Sequence, residues 1–392
     1  MSDNIPFEIQ EEIMKRLPVR SLIQFRSVSK AWKSLIDSSR FITNYNNQQK
    51  HILVRYHHVG SVHSKEKYVS IVDDDSFPHQ RVSVTLPLCV RILQDYYSIG
   101  SSHGLLCFYG LYRDYYGPNT KTEKVVLWNP SIRKAAAFVV PNSGDMYAYG
   151  TVLGFGVCRQ TNDPKIVKIA YMHSWEEDME IPRQVEVFTL STRSWRSSYG
   201  TNLPRKSIEF GCDGRCIDGF YYWLATDRST IDDDLWAYNL IISFDITSEE
   251  FREVNLPDSL VYDGSKHDLS FSSLRESLVV LRRNEHDENV VDVWLMEDGV
   301  SKPFTKLFTI YSPNAVLYCV WEFRKSGEPV FLPVDNDADL RKVPTPLRIA
   351  VYEPKSKHIS NLDLGINGEC SFDVYSYVET LLLHDLPTFY GF

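Results

Sequence analysis

Six times along the chain a short β-branched or aromatic strand, a polar turn and a second strand recur, and this repetition limits the fold more than any other feature. The units read YVSIVDDDSF, VVLWNPSIRK, VEVFTLSTRSW, IISFDITSEEF, VDVWLMEDG and IAVYEPKSKHI. Aligned on Val72, Trp128, Phe188, Phe244, Trp294 and Tyr352, they stand 56, 60, 56, 50 and 58 residues apart. Such a period is too long for one hairpin and suits a propeller blade of about four strands. In three units a large apolar residue returns seven positions on, Trp195 after Phe188, Phe251 after Phe244 and Ile359 after Tyr352, as two hairpin arms facing one core require. GLLCF at 104–108, GFYYWLA at 219–225, SLVVL at 277–281 and PVFL at 329–332 supply partner strands upstream. Radial repetition buries both faces of each small sheet and leaves short edges; a β-sandwich accounts for the strands but not for the period.

Ahead of the repeats, residues 5–32 read IPFEIQEEIMKRLPVRSLIQFRSVSKAW. Pro6 stands where a missing amide hydrogen is harmless, Ile9, Ile13 and Leu17 recur every fourth position, and Pro18 stops the run. A second helix or turn carries Leu22, Ile23 and Phe25, and Ser29 is a plausible N-cap for a third, whose Trp32, Leu35 and Ile36 share a face. Three helices this short cannot cover one another's apolar faces, so the segment is expected to dock on a partner. The expected class is α+β by segregated domains. An N-terminal three-helix module occupies 1–47, and an all-β domain over 48–392 forms a six-bladed β-propeller or propeller-like closure.

The N-terminal string closely resembles the F-box, the motif that attaches substrate receptors to the Skp-type adaptor of cullin-RING ubiquitin ligases. The family's Leu-Pro opening stands here as Ile5-Pro6, followed by Glu8 and Ile9. Arg16, Leu17, Pro18 and Val19 match its centre, and Ser21-Leu22, Phe25-Arg26, Val28-Ser29-Lys30 and Trp32 match its later part. Isoleucine for leucine at position 5 is a small change in volume that costs less than about 1.5 kcal/mol. The body resembles the plant F-box-associated domain of the S-locus F-box and kelch-repeat type. The matching strings are GLLCF, LWNPSIRK, LGFGV, VEVFTLSTRSWR, DGFYYWLA, ISFDITSEEFREVNLP, VDVWLME with FTKLFTI, and YVETLLL, in that order. Neither a Gly-Gly nor a Trp-Asp pair occurs, so the kelch and WD signatures themselves are missing. The resemblance implies a target-binding β domain and a closing strand, the YVETLLL segment, that pairs with the first blade. It also implies that the chain is the substrate-recognition subunit of a Skp-cullin-F-box ligase. The adaptor would be held by Ile5, Pro6, Ile9, Ile13, Leu17, Pro18, Leu22, Phe25, Val28 and Trp32, and the cullin and RING subunits would be reached indirectly.

Composition narrows the alternatives. Seven of the 42 Lys and Arg but only five of the 51 Asp and Glu fall in residues 1–45, so the body is net acidic. It has no basic run interleaved with aromatics, which argues against nucleic-acid binding. No stretch approaches the roughly 20 apolar residues of a membrane span, and the amino terminus lacks a signal-peptide pattern, so a cytoplasmic or nuclear location is expected. Seven scattered cysteines read as reduced core thiols. Adjacent His57 and His58 point to opposite faces of a strand, and Cys212 with Cys216 lacks a second ligand pair, the glycines at 211 and 214 marking a turn. Gly154-Phe155-Gly156 lacks the third glycine of a phosphate loop and reads as a strand pattern, and the aspartates at 73–75 and 232–234 read as solvated turns. With no nucleophile elbow, Walker loop or zinc-protease helix, neither catalysis nor a cofactor is expected. The candidates for holding a protein target are aromatic loop residues: Tyr112, Arg113, Tyr115 and Tyr116 in GLYRDYYGPN, Tyr147 and Tyr149 in DMYAYG, and Trp175 in HSWEEDMEIP. A stand-alone peptide- or glycan-binding propeller that uses the adaptor without promoting ubiquitination is the alternative.

Overall fold

Each recurring unit lies in the outer half of a four-stranded sheet, and six such sheets make a six-bladed β-propeller. The structure, a computed structural model, describes residues 5–45, 49–58, 66–113, 121–141, 148–172, 184–198, 204–205, 207–231, 234–260, 269–284, 287, 289–297, 303–313, 315–335, 348–363 and 370–386. Four short helices come first: α1 (Phe7–Met14), α2 (Val19–Phe25), α3 (Lys30–Ile36) and α4 (Ser39–Asn44). Blade 1 begins with β1 (Lys50–His58), β2 (Lys67–Val72) and β3 (Arg81–Val84). A single helical turn, α5 (Leu88–Arg91), leads to blade 2, formed by β4 (Gln94–Ser102), β5 (Leu105–Arg113), β6 (Lys121–Asn129) and β7 (Lys134–Val139). Blade 3 holds β8 (Ala148–Val157), β9 (Pro164–Met172), β10 (Gln184–Thr189) and β11 (Ser194–Ser197). Blade 4 holds β12 (Ile208–Ile217), β13 (Phe220–Ile231), β14 (Asp234–Asp245) and β15 (Phe251–Val254). Blade 5 comprises β16 (Leu269–Leu274), β17 (Ser277–Arg283), β18 (Val290–Met296) and β19 (Phe304–Tyr311). Blade 6 comprises β20 (Ala315–Phe323), β21 (Pro329–Asp335), β22 (Arg348–Glu353) and β23 (His358–Asp363).

The last strand, β24 (Cys370–Val378), pairs with β1 and completes blade 1 in the order β24-β1-β2-β3. The closing strand therefore lies before YVETLLL, and only Tyr377 and Val378 of that string belong to it.

All six reference residues occupy the third strand of their sheets, and the four upstream runs occupy the second. The sevenfold return is a pairing: Phe188 faces Trp195, Phe244 faces Phe251 and Tyr352 faces Ile359, as Trp128 faces Ala135. One turn geometry fixes that offset. Arg133, Arg193, Glu249 and Lys357, each five residues past its reference position, have φ between 52° and 62°. The amides of Arg193, Glu249 and Lys357 donate to the carbonyls of Thr189, Asp245 and Glu353, closing a turn whose last residue is left-handed. Between first and second strands, His103-Gly104 and Asp218-Gly219 have positive φ at both positions, the type I′ geometry that suits strand twist.

The chain separates into two compact units, one made of Met1–Leu53, Tyr68–Pro141 and Ser376–Phe392, the other of Val54–Lys67 and Asn142–Tyr375. In the first, Tyr68 packs edge-on against Trp128 at 5.4 Å and its hydroxyl meets that of Tyr96 at 2.9 Å. In the second, blades 4 and 5 share a core around Ile241, Phe271 and Val280, and blades 5 and 6 share one around Val293, Phe331 and Tyr352. Gly154 and Gly156 lie in β8, where a Cβ would come within 2.6 Å of the Trp223 ring and 2.7 Å of Ile246. They are strand glycines for close approach, as the sequence suggests. Gly211 lies within, and Gly214 ends, a register shift that begins at Phe210 inside β12, so they mark a bulged strand rather than a turn. Cys89, Cys107 and Cys158 are buried free thiols.

Candidate functional site

Pro6 and Pro18 are the N-caps of α1 and α2, where a proline loses no intrahelical bond but offers no side-chain acceptor. Ser29 caps α3 as the sequence indicates, its Oγ accepting from the Trp32 amide at 3.1 Å. Ser38 does the same for α4 through the Phe41 amide at 3.2 Å, so the module has a fourth helix beyond the three expected. Helix α1 ends at Met14, and Leu17 lies in the following turn with its amide bonded to the Met14 carbonyl. It is not on the same helical stripe as Ile9 and Ile13.

The helices have a sealed face and an open face. Met14, Val19, Leu22, Leu35, Ile36 and Phe41 are buried together with Leu381, from near the other end of the chain, and Ile132 of blade 2 packs on them. Leu22 is fully enclosed and cannot touch another molecule as the structure stands; its part is to hold α2 against this core. Leu17, Phe25 and Trp32 are half-buried at the rim, Trp32 with its Nε1 donating to Gln10 Oε1 at 2.8 Å and its ring 5.3 Å from that of Phe25. The open face carries Ile5 (46% exposed), Ile9 (51%), Ile13 (50%) and Val28 (62%), with Pro6 and Pro18 also exposed. Ile5, Ile9 and Ile13 repeat at the four-residue spacing that lines up side chains along a helix. Phe7, 43% exposed, belongs to the same exposed set and was missed because it falls outside that spacing.

Charge holds the module from within. Arg26, the arginine of the Phe-Arg motif, donates to both carboxylate oxygens of Asp37, at 2.6 and 2.9 Å. The guanidinium outweighs burial and keeps the Asp37 carboxyl below its ordinary range. Beside α2, His51 of β1 stacks on Tyr377 at 4.9 Å and meets the Ser70 hydroxyl through Nδ1 at 3.2 Å. Burial first, then the Arg20 charge, pushes its pKa down to about 4, against the opposing pull of Asp73 and Asp74. Glu379 Oε1 is 4.0 Å from its Nε2, too far for a hydrogen bond, so it does not hold the ring protonated. The contribution of His51 is complete above about pH 6.5 and is lost as pH falls towards 4, up to about 3 kcal/mol. Glu379, whose pKa burial raises, works in the opposite sense, its contribution declining as pH rises past the usual carboxylate range. Thermal melts from pH 7 to 4 should therefore show a steeper loss in the native chain than in His51→Gln; equal slopes would exclude this assignment.

Of the target-binding candidates, Tyr112 is committed to its own blade: its hydroxyl donates to the Cys89 carbonyl and Lys124 Nζ lies 4.2 Å over its ring. Arg113 ends β5 opposite Lys121, at the end of blade 2 away from the 102–105 and 129–134 turns, and its side chain lies outside the described residues. The same holds for the side chain of Tyr149 in β8, whereas Tyr115, Tyr116, Tyr147 and Trp175 lie wholly outside. So do the side chains of His57, His58 and Cys212 and the residues 232–233. Asp74 closes its own turn, its Oδ1 accepting from the amide and hydroxyl of Ser76. Among the described residues no group of three or more His, Cys, Asp or Glu is placed to hold a metal, and no helix is long and apolar enough to cross a membrane.

Residues 99–382 match the family described as F-box associated beta propeller domain, and residues 2–44 match the F-box domain. An Arabidopsis thaliana F-box/kelch-repeat protein is 26% identical over 324 residues, covering 78% of this chain and 79% of its own length. The Arabidopsis thaliana F-box protein CPR1 is 24% identical over 406 residues, 93% of this chain and 90% of that protein. Among solved structures, the acylaminoacyl peptidase of Pyrococcus horikoshii aligns at a TM-score of 0.38 with 12% identity, over 69% of this chain and 39% of that one.

Proposed function

This chain belongs to the F-box associated β-propeller family and carries an F-box ahead of that domain, and from this premise we propose that it is the substrate-recognition subunit of a Skp-cullin-F-box ubiquitin ligase. The observation that carries the reading is the two-faced helical module. One face is packed by the chain itself, while Ile5, Ile9 and Ile13 present about half of their surface in a row. A row of exposed isoleucines that starts just before α1 and continues along it is what an apolar groove on an adaptor would cover. In this proposal Ile5, Pro6, Phe7, Ile9, Ile13, Pro18 and Val28 touch the Skp-type adaptor. Leu17, Phe25 and Trp32 border the contact, and Leu22 supports it from inside. Residues 1–47 are the docking module and 48–392 the target-binding domain. Cullin and a RING subunit join through the adaptor, in the cytoplasm or nucleus of a plant cell.

The chain supplies no acyl-transfer chemistry in this scheme. It raises the effective concentration of a target lysine near the charged ubiquitin carrier, and positioning of that kind can remove a large share of a barrier. The target is held by the propeller domain. The test is quantitative affinity purification from cells with and without proteasome inhibition. Adaptor and cullin should both co-purify, with at least one further protein whose recovery rises under inhibition. Adaptor without cullin, and no inhibitor-sensitive protein, would favour the stand-alone binding protein.

A further inference from the structure

Helix α2 begins at Val19 behind a proline, which leaves its first amide without a local capping side chain. The acceptor comes from 360 residues away: Glu379 Oε2 takes the Val19 amide at 3.1 Å. That bond opens a run of contacts made by residues 379–386, which leave β24 and pass between the helices and blade 2. On the helical side, Leu381 is fully buried among Met14, Val19, Leu22, Leu35, Ile36 and Phe41. His384, also buried, approaches the Leu381 carbonyl through Nδ1 at 2.9 Å and Asp37 Oδ1 through Nε2 at 3.1 Å, joining the Arg26–Asp37 clamp.

On the propeller side, the wholly buried Asn129 donates from Nδ2 to the carbonyls of Thr380 at 2.9 Å and Leu382 at 2.8 Å, while its Oδ1 accepts from the Ser131 amide. Lys134 Nζ donates to the carbonyls of His384 and Leu386. At Gly104, φ is +79° and a Cβ would sit 2.7 Å from Thr380 Cγ2, so the segment runs directly against that turn. Backbone carbonyls held by Asn129 and Lys134 are register contacts: they accept the segment in one position only.

We infer that residues 379–386 are a positioning strap that completes the F-box from the opposite end of the chain and fixes it to blade 2, so that adaptor docking depends on residues far outside the docking motif. Glu379, Asn129, Lys134 and Leu381 are its positioning residues. The inference rests on the docking reading above, and the experiment separates the two.

Hydrogen exchange of α2 and α3 amides and titration with purified Skp-type adaptor are measured on the full chain, with the amides of β17 as the internal check that the propeller stays folded. Glu379→Ala should speed α2 exchange and weaken adaptor binding by roughly five- to tenfold, the effect of a lost helix cap. Glu379→Gln should restore both, because its amide oxygen still accepts from Val19. Lys134→Met relieves a repulsion between Lys134 and Arg26 at the end of α2, which by itself would favour the helix, yet should speed α2 and α3 exchange in the same direction. Ile13→Asp should remove adaptor binding and leave exchange unchanged. Native exchange and affinity in both Glu379→Ala and Lys134→Met would overturn the strap, whatever Ile13→Asp does. Native affinity in Ile13→Asp would overturn the docking reading, and the exchange measurements would still judge the strap.

Discussion

Aspartate at both Ile9 and Ile13 is expected to weaken adaptor binding at least about a hundredfold, because two interface anchors commonly contribute 2 kcal/mol or more each. The helices should remain folded. Both residues are half-exposed on the open face of α1 and neither belongs to the buried cluster of Met14, Val19, Leu22, Leu35, Ile36, Phe41 and Leu381. Surface substitutions away from caps and cores usually stay within about 0.5 kcal/mol, so the melting temperature should hardly move. At the interface the same carboxylates would be desolvated with nothing to pair them, which is far more costly than losing two isoleucines. The contrast with Leu22 makes the experiment informative. Leu22→Asp would also abolish binding, but by breaking the core, and Leu17→Arg would mix the two effects because Leu17 is half-buried.

Trp223→Ala should destabilise the propeller by about 3–5 kcal/mol, the range for removing a fully buried large aromatic side chain. Trp223 lies in β13 with its ring 4.6 Å from that of Tyr221, 5.5 Å from Phe210 and 6.3 Å from Phe251. Its Nε1 donates to the Leu153 carbonyl at 3.3 Å, and its Cζ2 fills the space a side chain at Gly154 would need. Truncation leaves a cavity between β8 and β13 and removes the side-chain donor to the Leu153 carbonyl. Gly154→Val in the native background should overpack the same space at a cost of about 1–3 kcal/mol. Combined, the two changes should be less harmful than their sum, since each relieves the fault the other creates. Denaturant unfolding measures all three, and a loss below about 1 kcal/mol for Trp223→Ala would show that the seam is looser than described.

The blades were legible in the sequence because one physical requirement recurs in four of the six units. A large residue on the third strand must meet the fourth strand across a turn of fixed length, and Phe188–Trp195, Phe244–Phe251 and Tyr352–Ile359 do so. The helix starts at Pro6 and Ser29 and the break at Pro18 were legible for the same kind of reason, since capping and breaking chemistry is local, whereas the role of Pro18 as the cap of α2 was not read. What periodicity could not supply is which apolar face is already occupied. Ile13 and Leu22 look equally suited to docking until Leu381 and Ile132 are seen to cover one and not the other. That distinction depends on residues more than 100 positions away, as does the closure of blade 1 by β24 rather than by YVETLLL. At Gly211 and Gly214 a bulge inside β12 imitates the composition of a turn, and no local signal tells the two apart. The aromatic loop candidates fared differently: Tyr112 proved to be held by Cys89 and Lys124 within its blade, a role that composition alone does not separate from recognition.

The most direct test of the account is a calorimetric titration of the full chain with a purified Skp-type adaptor, run beside the Ile9→Asp/Ile13→Asp variant at matched folding. The account predicts a saturable one-to-one complex for the native chain and no measurable heat for the variant. Binding of equal strength by both, or by neither, would contradict it.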